Sequence, residues 1–127
     1  MLDIGCNDGT LLKFYNKKFQ KFGIDPSQII KKINKKQINV INDFFPLKKK
    51  NKKIIGKKFD IITSIAMFYD LDNPNLFVKE IKKYLQKSGF WVFELSYLVD
   101  MIKLNSFDTI CHEHLEYYSL KSLKYIL

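Results

Sequence analysis

Residues 2–14 read LDIGCNDGTLLKF: the apolar-flanked stub Leu2-Asp3-Ile4, the turn Gly5-Cys6-Asn7-Asp8-Gly9, then Thr10 leading into Leu11, Leu12 and Phe14. A short apolar run that breaks at a glycine turn and resumes with helical spacing predicts strand, turn and helix in immediate succession. Apolar residues at 11, 12, 14, 15 and 19 carry the predicted helix over residues 10–20. Working outward, Phe22 to Asp25 reads as a second strand closed by Pro26-Ser27, and Ile29, Ile30 and Ile33 share a helical face. Residues 38–41 read as a third strand, and the lysine run of residues 48–53 as a solvated loop. Residues 59–65, FDIITSI, form a continuous β-branched and apolar segment suited to a strand buried on both faces. Asn73-Pro74 opens a helix carrying Leu76, Phe77, Ile81 and Leu85, which Gly89 is expected to end. Residues 90–95, FWVFEL, form the last strand of the series.

Strands alternating with helices predict an α/β fold, a Rossmann-like doubly wound and mostly parallel sheet, with residues 1–127 as one domain. The first strand has almost no length and only about thirty residues follow the last, so the sheet is expected to be truncated. At 127 residues with 46% hydrophobic and 15% aromatic content, the chain can bury a single core. No apolar run has the length of a membrane span, and no signal-like segment opens the chain. Two widely separated cysteines do not make a disulfide framework, so a reduced, cytoplasmic chain is expected. The net charge of +9 comes from 22 basic residues that are all lysine. Without arginine forks this argues against a nucleic-acid surface, while still favouring anionic small molecules kinetically.

Ligands of such sheets bind where strand ends meet the crossover turns. Here Gly5 lets the chain reverse, Gly9 is expected to let the helix start approach a ligand, and Asp25 follows at the end of the second strand, where a carboxylate accepts ribose hydroxyls. A dinucleotide turn would be G-x-G-x-x-G, but this one is G-x-x-x-G with Asn7 inside it and Asp3 and Asp8 beside it. Carboxylates disfavour a pyrophosphate and favour a sulfonium with an α-amino group. The turn therefore suits S-adenosyl-L-methionine better than a nicotinamide dinucleotide. Asn42-Asp43-Phe44-Phe45, after the third strand, offers a polar and aromatic seat for adenine, or equally a plain loop.

Both histidines fall in residues 111–114, Cys111-His112-Glu113-His114. The residues alone leave three readings open: zinc ligands, an acid–base site, or a polar loop whose histidines make structural hydrogen bonds. Metal binding is the least favoured, because adjacent residues of an extended segment face opposite ways and no second ligand cluster exists.

The stretches LDIGCNDGTLLKF, GIDPS, FDIITSIAMFYDLDNPNLFVKEIKKYLQKSGFWVFEL and NSFDTICHEHLEYYSL, in that order, resemble the class I S-adenosylmethionine-dependent methyltransferases. More narrowly they resemble nucleotide-sugar C-methyltransferases, which alkylate a carbon of a 4-keto-deoxysugar. The resemblance implies cofactor contacts at Asp3, Gly5, Asn7, Gly9, Asp25 and Ser64. It implies His114 as general base with Glu113 as its partner, and substrate contacts at Cys111, His112 and Tyr69; no metal is expected. Some members have tyrosine where this chain has Cys111 and histidine where it has Tyr69. Members also carry a zinc-binding module before the glycine turn and a further α/β domain beyond the His-Glu-His segment, so the chain corresponds to the cofactor-binding half. A nucleotide sugar is the expected substrate. A non-catalytic binding fragment, or an O- or N-methyltransferase, is the alternative, and a homo-oligomer or pairing through an exposed sheet edge is the expected mode of association.

Overall fold

The computed structural model describes residues 1–49 and 51–127. Five strands, β1 (Leu2–Ile4), β2 (Phe22–Ile24), β3 (Asn39–Ile41), β4 (Phe59–Ile65) and β5 (Leu85–Glu94), form one sheet in the order β3-β2-β1-β4-β5. Every pairing is parallel, as the alternating sequence pattern predicts. Among the described residues the α-helices are α1 (Thr10–Phe14), α2 (Pro74–Tyr84), α3 (Leu98–Leu104) and α4 (Leu120–Ile126). The fold is that of class I methyltransferases, with a short first strand. No described helix is long and apolar enough to cross a membrane.

Register decides which face each residue serves. Leu2 lies beside Ile62 and Phe22, and Ile4 beside Ile24 and in turn Ile41. This face packs against Phe77, Val78 and Ile81 of α2, and against Tyr118 and Leu123. Full burial of a side chain such as Phe77 or Ile81 contributes about 1.5–3 kcal/mol. The alternate residues belong to the other face, where Val40 packs with Cys6, Leu12, Ile30 and Ile33. Toward β5 that face is open: Phe90 is 71% exposed and Val92 51%, and β5 is a sheet edge.

Several expected boundaries move, each for a local reason. The helix predicted over residues 10–20 stops at Phe14, and Tyr15 turns extended. The side chain of Asn16 accepts the Lys18 N–H, an Asx turn that competes with helical bonding. The segment around Ile30 is a 3-10 turn, Gln28–Lys32, rather than an α-helix. The helix opened by Asn73-Pro74 is capped as predicted, Asn73 accepting the Leu76 N–H. It ends at Tyr84 instead of Gly89, and Leu76 lies outside its buried face. Gly89 is a strand residue: a Cβ there would sit 2.9 Å from the Asp60 carbonyl oxygen and 3.0 Å from that of Phe59. It permits close backbone approach where the β4–β5 register shifts. In the lysine run, Lys53 reaches across to the Val40 carbonyl while Lys48, Lys49 and Lys52 are exposed; Lys50 lies outside the described residues.

Tyr118 is 4% exposed and packs on Phe68 with ring centroids 5.2 Å apart. Its hydroxyl has no hydrogen-bond partner among the described residues, and burial pushes the phenol up to about 12. An unpaired buried hydroxyl costs about 1–3 kcal/mol. Tyr118→Phe is therefore expected to raise stability by about 1 kcal/mol. A denaturant midpoint that falls would show that the hydroxyl has a partner in solution.

Candidate functional site

The strand order reverses between β1 and β4, and the loops leaving the carboxyl ends of these strands diverge there. The crevice is a cleft of about 810 Å³ lined by the glycine turn, the end of β2, residues 43–45 after β3, and residues 65–67 with Asp70 and Leu71 after β4. Its walls carry five aspartates, Asp3, Asp8, Asp25, Asp43 and Asp70, and no lysine among the described residues. A chain of net charge +9 thus presents its ligand with negative charge. A cationic ligand fits this wall; a pyrophosphate does not.

The glycine turn is built from backbone bonds. Gly5 takes φ +74°, a left-handed conformation that glycine adopts without penalty. The Gly5 and Cys6 N–H groups both donate to the Ile24 carbonyl, tying the turn to β2. Gly5 has a second constraint: a Cβ there would lie 3.3 Å from Met67 Cγ. Gly9 also takes φ +74°, but the expected ligand approach is replaced by packing. A Cβ on Gly9 would meet Ile33 at 3.0 Å and Ile38 at 3.5 Å. Cys6 is buried, and desolvation with Asp3 and Asp25 nearby pushes its thiol up to about 12. That thiol is a packed small side chain, not a nucleophile.

Asp25 closes the turn from β2. One carboxylate oxygen accepts the Asn7 N–H at 2.8 Å, and the other accepts the Ser27 N–H and hydroxyl. Asn7 itself sits at φ +50°, so this bond supports a sparsely populated backbone conformation. Asn42 donates to the carbonyls of Asp25 and Ser27, which makes it a brace, while Asp43, Phe44 and Phe45 line the cleft. Asp8 is partly exposed; it accepts the Thr10 N–H and pairs with Lys13 at 3.7 Å, and the Thr10 bonds hold its carboxyl below the usual range.

Asp3 is 3% exposed. Its carboxylate accepts the Thr63 hydroxyl at 2.6 Å, yet burial dominates and raises its pKa to about 6. A buried carboxylate with one neutral donor and no cation is under-compensated, which is what a cationic ligand would relieve.

Ser64, expected at the cofactor, is fully buried on the other face of the sheet, where its hydroxyl accepts the Trp91 indole N–H at 2.9 Å. Thr63, one residue earlier, is the β4 hydroxyl that meets Asp3; strand alternation separates the two. Met67 and Asp70 are cleft residues that the sequence reading missed. Their only signal was position just beyond the carboxyl end of β4.

The His-Glu-His segment folds against this same loop. The Leu115 and Glu116 N–H groups both donate to the Tyr69 carbonyl, at 2.9 and 3.0 Å. The His114 ring packs on the Tyr69 ring with centroids 4.3 Å apart. His114 Nδ1 lies 2.7 Å from the Thr109 carbonyl oxygen. A carbonyl only accepts, so Nδ1 carries the proton and the neutral ring keeps its lone pair on Nε2. His114 is half-buried and packs on Tyr69, the residue before the cleft-lining Asp70, without lining the cleft itself. Glu113 is directed elsewhere: it pairs with the exposed His112 at 3.2 Å, not with His114. Cys111 is also exposed, and the described residues bring no three His, Cys, Asp or Glu side chains together as a metal site.

Comparison with known proteins agrees with this fold. The chain is similar to the plantazolicin methyltransferase BpumL, solved with a pentazolic desmethylPZN analog and SAH, at TM-score 0.77 and 21% identity over 99% of this chain and 52% of that one. It is similar to a SAM-dependent methyltransferase from Thermotoga maritima, at TM-score 0.67 and 18% identity over 98% of this chain and 59% of that one. It matches the C-methyltransferase NovU of Streptomyces niveus at 46% identity over 43 residues, 34% of this chain and 10% of NovU. The chain therefore spans about half the length of these structures, and its matched stretch covers a tenth of that relative. The family model described as a methyltransferase domain matches residues 1–127. With the parallel sheet and the cleft at its reversal point, the chain belongs to the methyltransferase-domain family.

Proposed function

We propose that the chain is the cofactor-binding part of an S-adenosylmethionine-dependent methyltransferase that alkylates a carbon of a 4-keto nucleotide sugar. The observation that carries the reading is the aspartate-lined cleft at the Gly5 turn, with His114 fixed on the loop that forms one wall. The likeness to NovU over its short matched stretch supports carbon as the acceptor.

In this reading Asp3 faces the cationic end of the cofactor. The Gly5 turn lets the backbone pass close beneath it, Asp25 accepts from the ribose, and Asp43 with Phe44 and Phe45 seats the base. The cofactor supplies an electrophilic methyl group. His114 Nε2 removes a proton from the carbon α to the sugar ketone, the enolate forms, and that carbon is alkylated. Tyr69, whose phenol is held protonated chiefly by burial, is a donor beside His114 for the sugar's carbonyl oxygen as negative charge develops there. In this reading Cys111 and His112, both exposed, meet the substrate rather than the cofactor. A second chain or segment pairing with the β5 edge is the association the sheet offers.

The test separates the two halves of the chemistry. With a 4-keto nucleotide sugar in deuterated buffer, the α-hydrogen is expected to exchange, and with S-adenosylmethionine added the methyl should appear on that carbon. A methyl found on oxygen or nitrogen would replace the acceptor assignment. Binding of S-adenosylmethionine with neither exchange nor transfer would leave a non-catalytic binding unit.

A further inference from the structure

We infer that Met67 is the apolar seat for the sulfur-bearing end of the cofactor, and that Ala66 is the positioning residue that aims it. Met67 lies against the Gly5 turn at the β4 end of the cleft and directly follows a left-handed alanine. The inference rests on the reading that puts the cofactor's cationic end at Asp3, and goes beyond it by assigning two residues that neither motif nor comparison marks.

The cleft crosses the carboxyl ends of neighbouring strands in the order β3, β2, β1, β4. Asp43 and Phe44 follow β3 and Asp25 follows β2, so the groups suited to base and ribose gather at one end. Ala66 and Met67 follow β4 at the other. The sulfur-bearing end of S-adenosylmethionine is cationic and aliphatic at once. Asp3 answers the charge. The aliphatic part gains from an apolar surface, and Met67, unbranched and polarizable, supplies one that adapts to what rests on it.

The backbone fixes Met67 in this place. A Cβ on Gly5 would lie 3.3 Å from Met67 Cγ and 3.7 Å from its Cβ, so the Met67 side chain stands where a side chain on Gly5 would point. On one side the Ala66 N–H donates to the Glu94 carbonyl at the end of β5, at 3.1 Å. On the other the Met67 carbonyl accepts the Asp70 N–H at 3.2 Å, and Phe68 is fully buried against Phe77, Trp91 and Phe93. Between these anchors Ala66 takes φ +51°, a conformation disfavoured for any residue with a Cβ. Ala66 is exposed, so no burial of its methyl group offsets that strain. What the left-handed residue achieves is the direction of Met67, and strain kept at a ligand cleft is the pattern of a positioning device. Glycine would take the same φ freely, but would also take others and let Met67 swing.

Equilibrium binding tests the assignment without turnover. S-adenosylmethionine is titrated calorimetrically, and adenosine, which lacks the sulfur-bearing end, is read as its competitor. In Met67→Ala, S-adenosylmethionine is expected to bind about tenfold more weakly, with adenosine within about twofold of wild type. Met67→Leu, which conserves volume, should bring S-adenosylmethionine back to within about threefold. Ala66→Gly should weaken S-adenosylmethionine selectively while its denaturant midpoint stays at or above that of wild type, since glycine relieves the strain. A role in packing alone would lower the midpoint and weaken both ligands together. Unchanged S-adenosylmethionine affinity in Met67→Ala, or an equal loss for adenosine, would overturn the seat. Wild-type affinity in Ala66→Gly would overturn the positioning role. A wild-type chain that binds adenosine but gains nothing from the sulfur-bearing end would instead remove the reading of Asp3, whatever the variants show.

Discussion

In Asp3→Asn, S-adenosylmethionine is expected to bind more weakly by about thirtyfold or more while the folded chain becomes more stable at neutral pH. Both effects have one cause. Asp3 is buried against the Thr63 hydroxyl, and burial raises its pKa from 3.8 to about 6. The folded chain thus holds the Asp3 proton more tightly than the unfolded chain does. Stability is greatest when both states are protonated. It falls as pH rises from about 4 to about 6 and then stays low, with a penalty on the order of 2–3 kcal/mol. Asparagine can still accept the Thr63 hydroxyl without the charge, so the variant should gain about 2 kcal/mol above pH 6 and little below pH 4. The charge is also what a cationic ligand meets in the cleft, and removing one member of a buried charge pair costs about 2–5 kcal/mol of affinity. Denaturant titrations at the two pH values, with and without S-adenosylmethionine, read both effects. If Asp3→Asn is less stable at neutral pH, or binds S-adenosylmethionine as wild type does, Asp3 is not the strained anionic wall described here. The same linkage predicts that wild-type affinity for the cofactor drops as pH falls through about 6.

Much of this was legible because a few residues leave little choice. The Leu2-to-Phe14 stretch fixes strand, turn and helix start through Gly5, whose positive φ no β-carbon-bearing residue takes freely. Residues 59–65 read as a central strand, and their alternation with helices implies parallel pairing; the order of the strands comes from the structure. What escaped depends on the third dimension. Whether Gly89 ends a helix or lets two strands touch cannot be read from one glycine after an amphipathic run; the carbonyls of Phe59 and Asp60 decide it. Ser64 and Thr63 are equally plausible hydroxyls in sequence, and only the register of β1 with β4 puts Thr63 on the side of Asp3. Similarly, a His-Glu-His triplet suggests that the carboxylate serves a histidine, but not which one. Tyr69, 45 positions before His114, captures that ring and leaves Glu113 to His112.

His114→Asn is expected to lower methyl transfer by about 10²–10⁴, the range a positioned base contributes, while cofactor affinity stays within twofold or so of wild type because His114 does not line the cleft. Asparagine is the informative replacement. Its side-chain amide can still donate to the Thr109 carbonyl, which the His114 Nδ1–H does now, so the segment keeps its anchor and loses only the basic nitrogen. The Leu115 and Glu116 N–H bonds to Tyr69 are backbone bonds and survive the change. Deuterium exchange at the α-carbon, measured without the cofactor, isolates the proton-transfer step and should be lost in parallel with transfer. A variant that has lost exchange and transfer but binds S-adenosylmethionine normally and unfolds at the wild-type denaturant midpoint assigns the proton to His114. If exchange persists, the base is another group on the same loop. Asp70 is then the first to examine, since its carboxylate lines the cleft on that loop, whereas the Tyr69 phenol, raised by burial, stays protonated and cannot accept.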